Sequence, residues 1–285
     1  MDFRTEVNIE KADFEIQPSD RLLFVGSCFA DHLGNRFVEN RFRAMVNPYG
    51  VMYNPTSVYH SVDRYLKGEP CTAGLKAGTE YQNQDRKVDV AVFTLGTNHV
   101  YILKETGEVV DNCQKRPQRL FEEKELSVGE CVVELSKAVL ALLGQGVRHI
   151  IVTVSPIRYQ KYGFHGSQLS KATLLLAADI LCQRFPEVVR YFPAYEILCD
   201  ELRDYRFYKE DMLHPSELAV EYIWQKFQMA YFGKTAEDFL EEWKPIREAL
   251  GHRPFNPESE EYKKFFLANA QEKERKFMEK YQLGK

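Results

Sequence analysis

The sequence lacks the features that mark membrane-spanning, secreted and nucleic-acid-binding proteins. No stretch of its 285 residues approaches the roughly 18 uninterrupted apolar residues of a membrane span. The first sixteen residues carry charges every few positions and lack the apolar core of a signal peptide. The formal charge of −4 provides no positive field for nucleic acid or an anionic membrane. We expect a cytoplasmic protein that binds neither.

Motifs for metals and nucleotide cofactors are also lacking. The six cysteines are scattered without a CxxC pair, the seven histidines are isolated, and HExxH does not occur. Neither GxGxxG nor the phosphate-loop pattern GxxxxGK[ST] is present. We therefore expect free thiols in a reducing compartment, no metal and no cofactor. No feature of the sequence indicates an oligomeric state.

Four short apolar runs are typical of strands buried on both faces of a sheet, at residues 22–25, 88–95, 149–154 and 188–192. Between them lie amphipathic helical patterns, first after Ser27 and then over residues 127–143 and 169–185. A further helix is predicted after Pro215, with these side chains inward: Leu218, Tyr222, Ile223, Phe227 and Tyr231. Alternating buried strands and helices predict a parallel sheet covered on both faces, a three-layer α/β/α fold. Residues 105–107 are expected to turn a small hairpin outside this sheet.

The last fifty residues differ in character, being charged and helical. We expect one α/β domain over residues 1–233 and a helical C-terminal extension over residues 234–285. The extension is expected to pack on the domain, because Phe239, Trp243, Phe265 and Phe266 need cover.

The end of the first predicted strand carries a candidate nucleophile. Gly26-Ser27 comes directly after the strand and opens a helix. A serine hydroxyl at this place is exposed above the sheet, and the helix dipole favours negative charge that develops there. The same residue is also a common N-cap, and the motif alone does not separate the two roles.

A candidate base and its orienting carboxylate lie together near the end of the α/β region. Asp211 and His214 are separated by two residues, directly before a helix. In a turn, this spacing lets the carboxylate reach Nδ1 of the imidazole while Nε2 faces a nucleophile from elsewhere. A DxxH pair is frequent by chance, so the prediction depends on convergence of both strand-end loops at one edge of the sheet.

Two intermediate positions are candidate oxyanion donors, together with the amide of Ser27. Gly50 offers a backbone N–H in a turn, and Asn98 offers a side-chain amide at the end of the second predicted strand. Arg158, Tyr159 and His165 follow the third strand and are candidates for lining a substrate pocket.

Several of these stretches resemble a known family. The order Ser, Gly, Asn, Asp-x-x-His resembles the block pattern of the SGNH hydrolases, and GSCFA at residues 26–30 resembles the signature of the GSCFA family. NPYGVMYNP, FTLGT, TVSPIR and YFPAYEILCDELRDYRFYKEDMLHPS also resemble that family and span roughly residues 20–235. One departure is Asn98-His99, where the family more often has a small residue followed by Trp. His99 is therefore a candidate pocket residue.

The resemblance implies a flavodoxin-like SGNH fold and a serine-dependent esterase acting on a small ester or an acylated carbohydrate, such as an acetylated sugar. It implies Ser27 as nucleophile, His214 as base, Asp211 as its partner, and Gly50 and Asn98 as oxyanion donors. Three alternatives stay open. They are an O-acyltransferase using the same acyl-serine, a non-catalytic binding protein that retains the scaffold, and a thiol nucleophile at Cys28.

Overall fold

The predicted apolar runs form the strands of a central parallel sheet. The computed structural model describes residues 4–72, 86–111, 113, 116–252 and 268–283. Within them the sheet strands are β1 (Arg21–Gly26), β2 (Arg43–Val46), β3 (Val90–Leu95), β7 (His149–Val154) and β8 (Val189–Tyr191). Their spatial order is β2-β1-β3-β7-β8, and every neighbouring pair is parallel. Counted along the chain, this is the flavodoxin-like order 2-1-3-4-5.

A small antiparallel sheet interrupts the alternation after β3. It contains β4 (His99–Leu103), β5 (Val109–Val110) and β6 (Phe121–Glu125), in the order β5-β4-β6. Gly107 has φ +72° and donates its N–H to the Leu103 carbonyl at 2.8 Å, which closes the turn between β4 and β5. The predicted hairpin outside the main sheet is therefore confirmed.

Helices cover both faces of the parallel sheet. They are α1 (Cys28–Glu39), α2 (Pro55–Leu66), α3 (Val128–Leu143), α4 (Gly163–Arg184), α5 (Ala194–Glu196) with a π-helical continuation over Ile197–Leu202, α6 (Glu217–Tyr231), α7 (Lys234–Gly251) and α8 (Ala268–Lys280). Leu22 and Phe24 of β1 face the core shared with α1, α6 and α7, whereas Leu23 and Val25 face the core shared with α2, α3 and α4. This period of two places one apolar layer on each side of the sheet, and it confirms the three-layer prediction.

Several elements differ from those predicted. β2 was not expected, because the four-residue strand RAMV is too short for a clear apolar run, and α2 was not expected either. α4 begins at Gly163, six residues before the predicted start. The inward position of Leu218 is wrong, since 63% of its surface is exposed. The buried stripe of α6 runs through Ala219, Ile223 and Phe227, and Leu218 lies outside it at helical spacing.

The C-terminal helices contribute to the core on the α1 side. Phe239 and Trp243 of α7 and Phe277 of α8 are buried in that core, and the Trp243 indole donates to the Glu39 carbonyl at 2.8 Å. Phe265 and Phe266 lie outside the described residues. The boundary at residue 233 stays a prediction. None of the helices in the described ranges is long and apolar enough to cross a membrane.

Candidate active site

The carboxyl ends of β1 and β3 mark the place where the strand order reverses. The chain leaves β1 into α1 on one face of the sheet, whereas α3, which follows β3 and the small sheet, covers the other face. Ligands of open parallel sheets bind in the crevice between such divergent connections. Ser27 and residues 96–98 stand on the two sides of this crevice.

Ser27 is held at the end of β1 by the sheet itself. Its N–H donates to the Thr94 carbonyl at 2.9 Å, and its Oγ accepts the Phe29 N–H at 3.2 Å as the N-cap of α1. Its Oγ also lies 3.1 Å from Thr94 Oγ1. Only glycine fits before it, because Gly26 has φ +147° and a Cβ there would lie 2.2 Å from the Thr94 carbonyl oxygen. The serine is 1% exposed, so the expectation of an exposed hydroxyl above the sheet is wrong, because Thr94 and the first turn of α1 cover it.

The loop after β2 braces this strand end. Asn47, which sequence reasoning missed, accepts the Gly26 N–H at 2.9 Å and donates to Asp31 of α1 at 2.8 Å. Gly50 closes the same loop with φ +90°, and its N–H donates to the Asn47 carbonyl at 2.9 Å. An oxyanion at Gly50 would therefore compete with a turn hydrogen bond.

Asn98 ties the small sheet to the crevice. Its Nδ2 donates to the Leu126 carbonyl at 2.8 Å, and its backbone N–H donates to Ser170 Oγ at 3.1 Å. The residue is 3% exposed, and its Oδ1 has no hydrogen-bond partner among the described residues. One of the two amide hydrogens on Nδ2 is thus committed to Leu126, which leaves one for another acceptor.

A buried lysine on α4, absent from the sequence predictions, joins two strand ends. Lys171 is 2% exposed, and its Nζ donates to the carbonyls of Gly96 and Ser155 at 2.8 Å each. These carbonyls follow β3 and β7. Burial lowers the pKa of Lys171 from 10.5 to about 7. The sequence feature that could have identified it is its helical spacing with Leu174 and Leu181, which places it on the buried stripe of α4.

The predicted Asp211–His214 pair is formed. Asp211 Oδ2 lies 2.6 Å from His214 Nδ1, while Oδ1 accepts the backbone N–H groups of Leu213 and His214 at 2.9 and 3.0 Å. These hydrogen bonds, with the backbone donors strongest, lower the pKa of Asp211 to about 2. The carboxylate thus fixes one ring nitrogen and leaves Nε2 for another partner. Both side chains are about two-fifths exposed.

The histidine loop, residues 209–215, leads into α6, which is paired with α1 through Arg36 and Glu221 at 3.2 Å. Burial lowers the pKa of His32 on α1, and the positive charges of Lys209 and His214 lower it further. Lys209 also lowers the pKa of the Cys28 thiol, against the larger effect of burial. Because α1 and α6 share one core, the loop before α6 lies on the same face of the sheet as α1. No hydrogen bond joins His214 to Ser27 within the described part of the chain.

Cys28 is a poor nucleophile in this setting. Burial raises the pKa of its thiol to about 11, and the nearby Asp31 carboxylate adds to the effect. The reactive thiolate is therefore scarce near neutral pH.

The four predicted pocket residues lie in different surroundings. Arg158 lines a cavity beside the histidine loop. Tyr159 donates its N–H to Ser167 and is not among the lining residues of that cavity, and His165 is exposed on α4. His99 is buried, stacks on Tyr162 with ring centres 3.7 Å apart, and has its pKa lowered by burial.

No group of three or more His, Cys, Asp or Glu side chains suited to a metal ion occurs in the ranges that the structure covers. All six cysteines are free thiols.

The fold and the strand-end serine define an α/β protein of flavodoxin-like topology with a candidate serine–histidine–aspartate site. Residues 21–79 and 75–227 match the model of the GSCFA family, and residues 243–283 match the model described as the GSCFA domain protein, C-terminal domain. The chain belongs to the GSCFA family. No curated protein matches it.

Similar solved structures are distant. A candidate acylhydrolase from Bacteroides fragilis is 10% identical, with a TM-score of 0.47, over 79% of this chain and 91% of the other. A catalytic mutant of an acetylxylan esterase from Geobacillus stearothermophilus is 12% identical, with a TM-score of 0.45, over 76% of this chain and 96% of the other.

Proposed function

We propose that the protein is a serine-dependent esterase that cleaves small esters through an acyl-serine intermediate. The observation that carries the proposal is the Asp211–His214 pair at 2.6 Å, on the loop that leads into α6, the helix that packs beside α1. A carboxylate on Nδ1 holds the tautomer in which Nε2 accepts a proton, which is the state that a general base requires.

Ser27 acts as the nucleophile in this scheme. His214 Nε2 takes the hydroxyl proton as Oγ forms a bond to the ester carbonyl carbon, and the carbonyl oxygen becomes an oxyanion. Collapse of this intermediate breaks the bond to the alcohol oxygen, which takes the proton from His214. A water then gives its proton to His214 and attacks the acyl-serine, which releases the acid and returns the proton to Ser27. Before attack, Oγ leaves Thr94 and turns towards His214, since hydrogen bonds of free enzymes often tighten only with substrate.

The oxyanion is stabilised by donors at the reversal of the strand order. We assign Gly50 N–H, Ser27 N–H and the second amide hydrogen of Asn98, as the family resemblance implies. The two backbone donors already bond to Asn47 and Thr94, so they would share their hydrogens with the oxyanion. The backbone amide of Cys28 lies in the first turn of α1 and is a further candidate donor. Preorganised amides of this kind act most strongly in a water-poor site.

The substrate is a small-molecule ester in this proposal, and the compartment is the cytoplasm. An acyl-serine can also pass its acyl group to an alcohol, which would make the protein an O-acyltransferase. Incubation with an acetyl ester and sugar acceptors separates the two, since hydrolysis yields acetate and transfer yields acetylated sugar.

The decisive experiment measures hydrolysis of p-nitrophenyl esters of increasing chain length. We expect Ser27→Ala and His214→Ala to lower kcat/KM by about 10⁴-fold. Ser127→Ala is the matched control, because Ser127 also caps a helix through its side chain but lies at the start of α3. Loss of this helix cap should lower the free energy of unfolding by about 1 kcal/mol without changing the rate of hydrolysis.

A fluorophosphonate probe tests the covalent step separately. Labelling of the folded protein that disappears in Ser27→Ala and persists in Ser127→Ala supports the acyl-serine. If no ester is cleaved and the probe does not label Ser27, the protein is a binding protein on this scaffold and the proposal is wrong.

A further inference from the structure

A cavity of about 290 Å³ opens beside the histidine loop. Its walls come from the connection after β7, the start of α4, the π-helical turn after α5 and the segment at residues 203–208. The volume is near the lower end of the range for ligand pockets, enough for one substituted six-membered ring.

The cavity is joined directly to the loop that carries the proposed base. Arg158 donates its backbone N–H to the Leu213 carbonyl at 3.0 Å, and its Nη1 donates to the Met212 carbonyl at 3.1 Å. Both carbonyls lie between Asp211 and His214. A group bound at Arg158 would therefore be next to the proposed catalytic loop.

Two guanidinium groups give this cavity an excess of positive charge. Apart from the Met212 contact, the Arg158 side chain has no polar partner among the described residues, and the Arg203 side chain has none there. Asp204 is the acidic residue that lines the cavity, and its carboxylate is held by Arg206 at 3.0 Å. The site is thus cationic although the whole chain carries −4.

Flat rings and hydrogen-bonding groups complete the lining. The Arg158 guanidinium lies 4.2 Å from the centre of the Phe164 ring and 5.6 Å from that of Tyr208, which holds its plane in place. Tyr195 donates its hydroxyl to Gln168 Oε1 at 2.6 Å, so the Gln168 NH₂ group is left to donate to a ligand. A fixed guanidinium plane matches the two oxygens of a carboxylate.

We propose that this cavity binds a carboxylate carried on a six-membered ring, and that this ring is part of the ester substrate. The second clause rests on the esterase function proposed above, whereas the binding of a carboxylate does not. The ring can be a sugar acid or an aromatic acid, since aromatic walls and amide donors suit both.

The test measures binding of non-ester ligands to the wild-type protein by isothermal titration calorimetry. Glucuronate is compared with glucose, and benzoate with benzyl alcohol. We expect at least one acid to bind about tenfold or more tightly than its neutral counterpart, and added salt to weaken that binding. Equal affinity within both pairs, or no binding by either acid, would overturn the proposal.

Variants locate the site. Arg203→Gln should weaken acid binding several-fold, and Arg158→Gln should weaken it about tenfold or more. Arg275→Gln removes the same charge from the exposed face of α8 and should change nothing. Acid binding that is the same in all three variants would place the anion elsewhere and overturn the assignment.

The two proposals fail in different ways. If p-nitrophenyl acetate is cleaved but neither acid binds more tightly than its neutral counterpart, the esterase function stands and the cavity proposal is wrong. If an acid binds to the wild type and this binding is lost in Arg158→Gln, but no ester is cleaved, the carboxylate site stands and the esterase function is wrong.

Discussion

The serine end and the histidine loop of the candidate site are built in different ways. Ser27 is buried and fixed by partners far along the chain, chiefly Thr94, which bonds to both its N–H and its Oγ. His214 is two-fifths exposed, and its ring is oriented by Asp211 three residues before it. The proposed nucleophile is therefore positioned by the sheet, and the proposed base by a local turn. Changes at the serine end should disturb folding, whereas changes in the loop should disturb chemistry.

The largest effect that separates the two regions is expected for Gly26→Ala. A Cβ at this residue would lie 2.2 Å from the Thr94 carbonyl oxygen, at a φ of +147° that alanine rarely adopts. We expect a loss of more than about 3 kcal/mol in the free energy of unfolding, measured with urea, or failure to fold. Gly50→Ala is the control. Its φ is +90°, but no atom of the described residues beyond its chain neighbours lies within 4 Å of the added Cβ, so the loss should be about 1 kcal/mol. Equal losses would show that the sheet does not fix the serine.

The same contrast explains what the sequence could and could not predict. Buried parallel strands are continuous apolar runs, so β1, β3 and β7 were found, and the Asp211–His214 pair was found because its geometry is local. Lys171 was missed because its acceptors lie 16 and 75 residues away in the chain. Asn47 was missed for a similar reason, since nothing in its neighbours indicates a bond to a strand 21 residues earlier.

In the histidine loop, Asp211→Asn should affect the rate more than the fold. An asparagine can keep one oxygen on the backbone N–H groups, but its NH₂ would face Nδ1 and favour the tautomer with the proton on Nε2. We expect kcat to fall about 100-fold or more, measured with a p-nitrophenyl ester, with little change in Tm. Asp63→Asn on α2 removes a comparable charge from an ion pair with Lys67 and is the control. A rate unchanged by Asp211→Asn would mean that the pair only stabilises the loop.

The wild-type rate should also be insensitive to titration of Asp211 above about pH 4. Its pKa is lowered to about 2, so the carboxylate is ionised throughout an ordinary assay range. A loss of activity in acid must then arise from another group.

At the serine end, Lys171 should make stability depend on pH. Its pKa is about 7 in the folded protein and near 10.5 when unfolded, so unfolding takes up a proton between these values. Stability therefore rises with pH across this window, by at most about 1.4 kcal/mol for each pH unit, and is lost as pH falls towards 7. Urea unfolding at several pH values should show a smaller slope for Lys171→Met than for the wild type. Parallel slopes would mean that Lys171 keeps its proton in the folded state.

The smallest effect is expected for Cys28→Ala, although Cys28 directly follows the proposed nucleophile. Its thiol has a pKa of about 11 because it is buried, so it is almost entirely protonated at neutral pH and contributes no nucleophile. It also opens α1, and its proposed role in oxyanion binding uses the backbone amide, which alanine keeps. We expect kcat/KM for a p-nitrophenyl ester to stay within about twofold of the wild type, since the substitution removes neither a hydrogen bond nor a charge used in the reaction. Iodoacetamide should likewise leave the rate unchanged. A tenfold loss of kcat/KM with preserved Tm would assign the nucleophile to Cys28 and not to Ser27. The site would then still lie at the end of β1, but with a different reacting group.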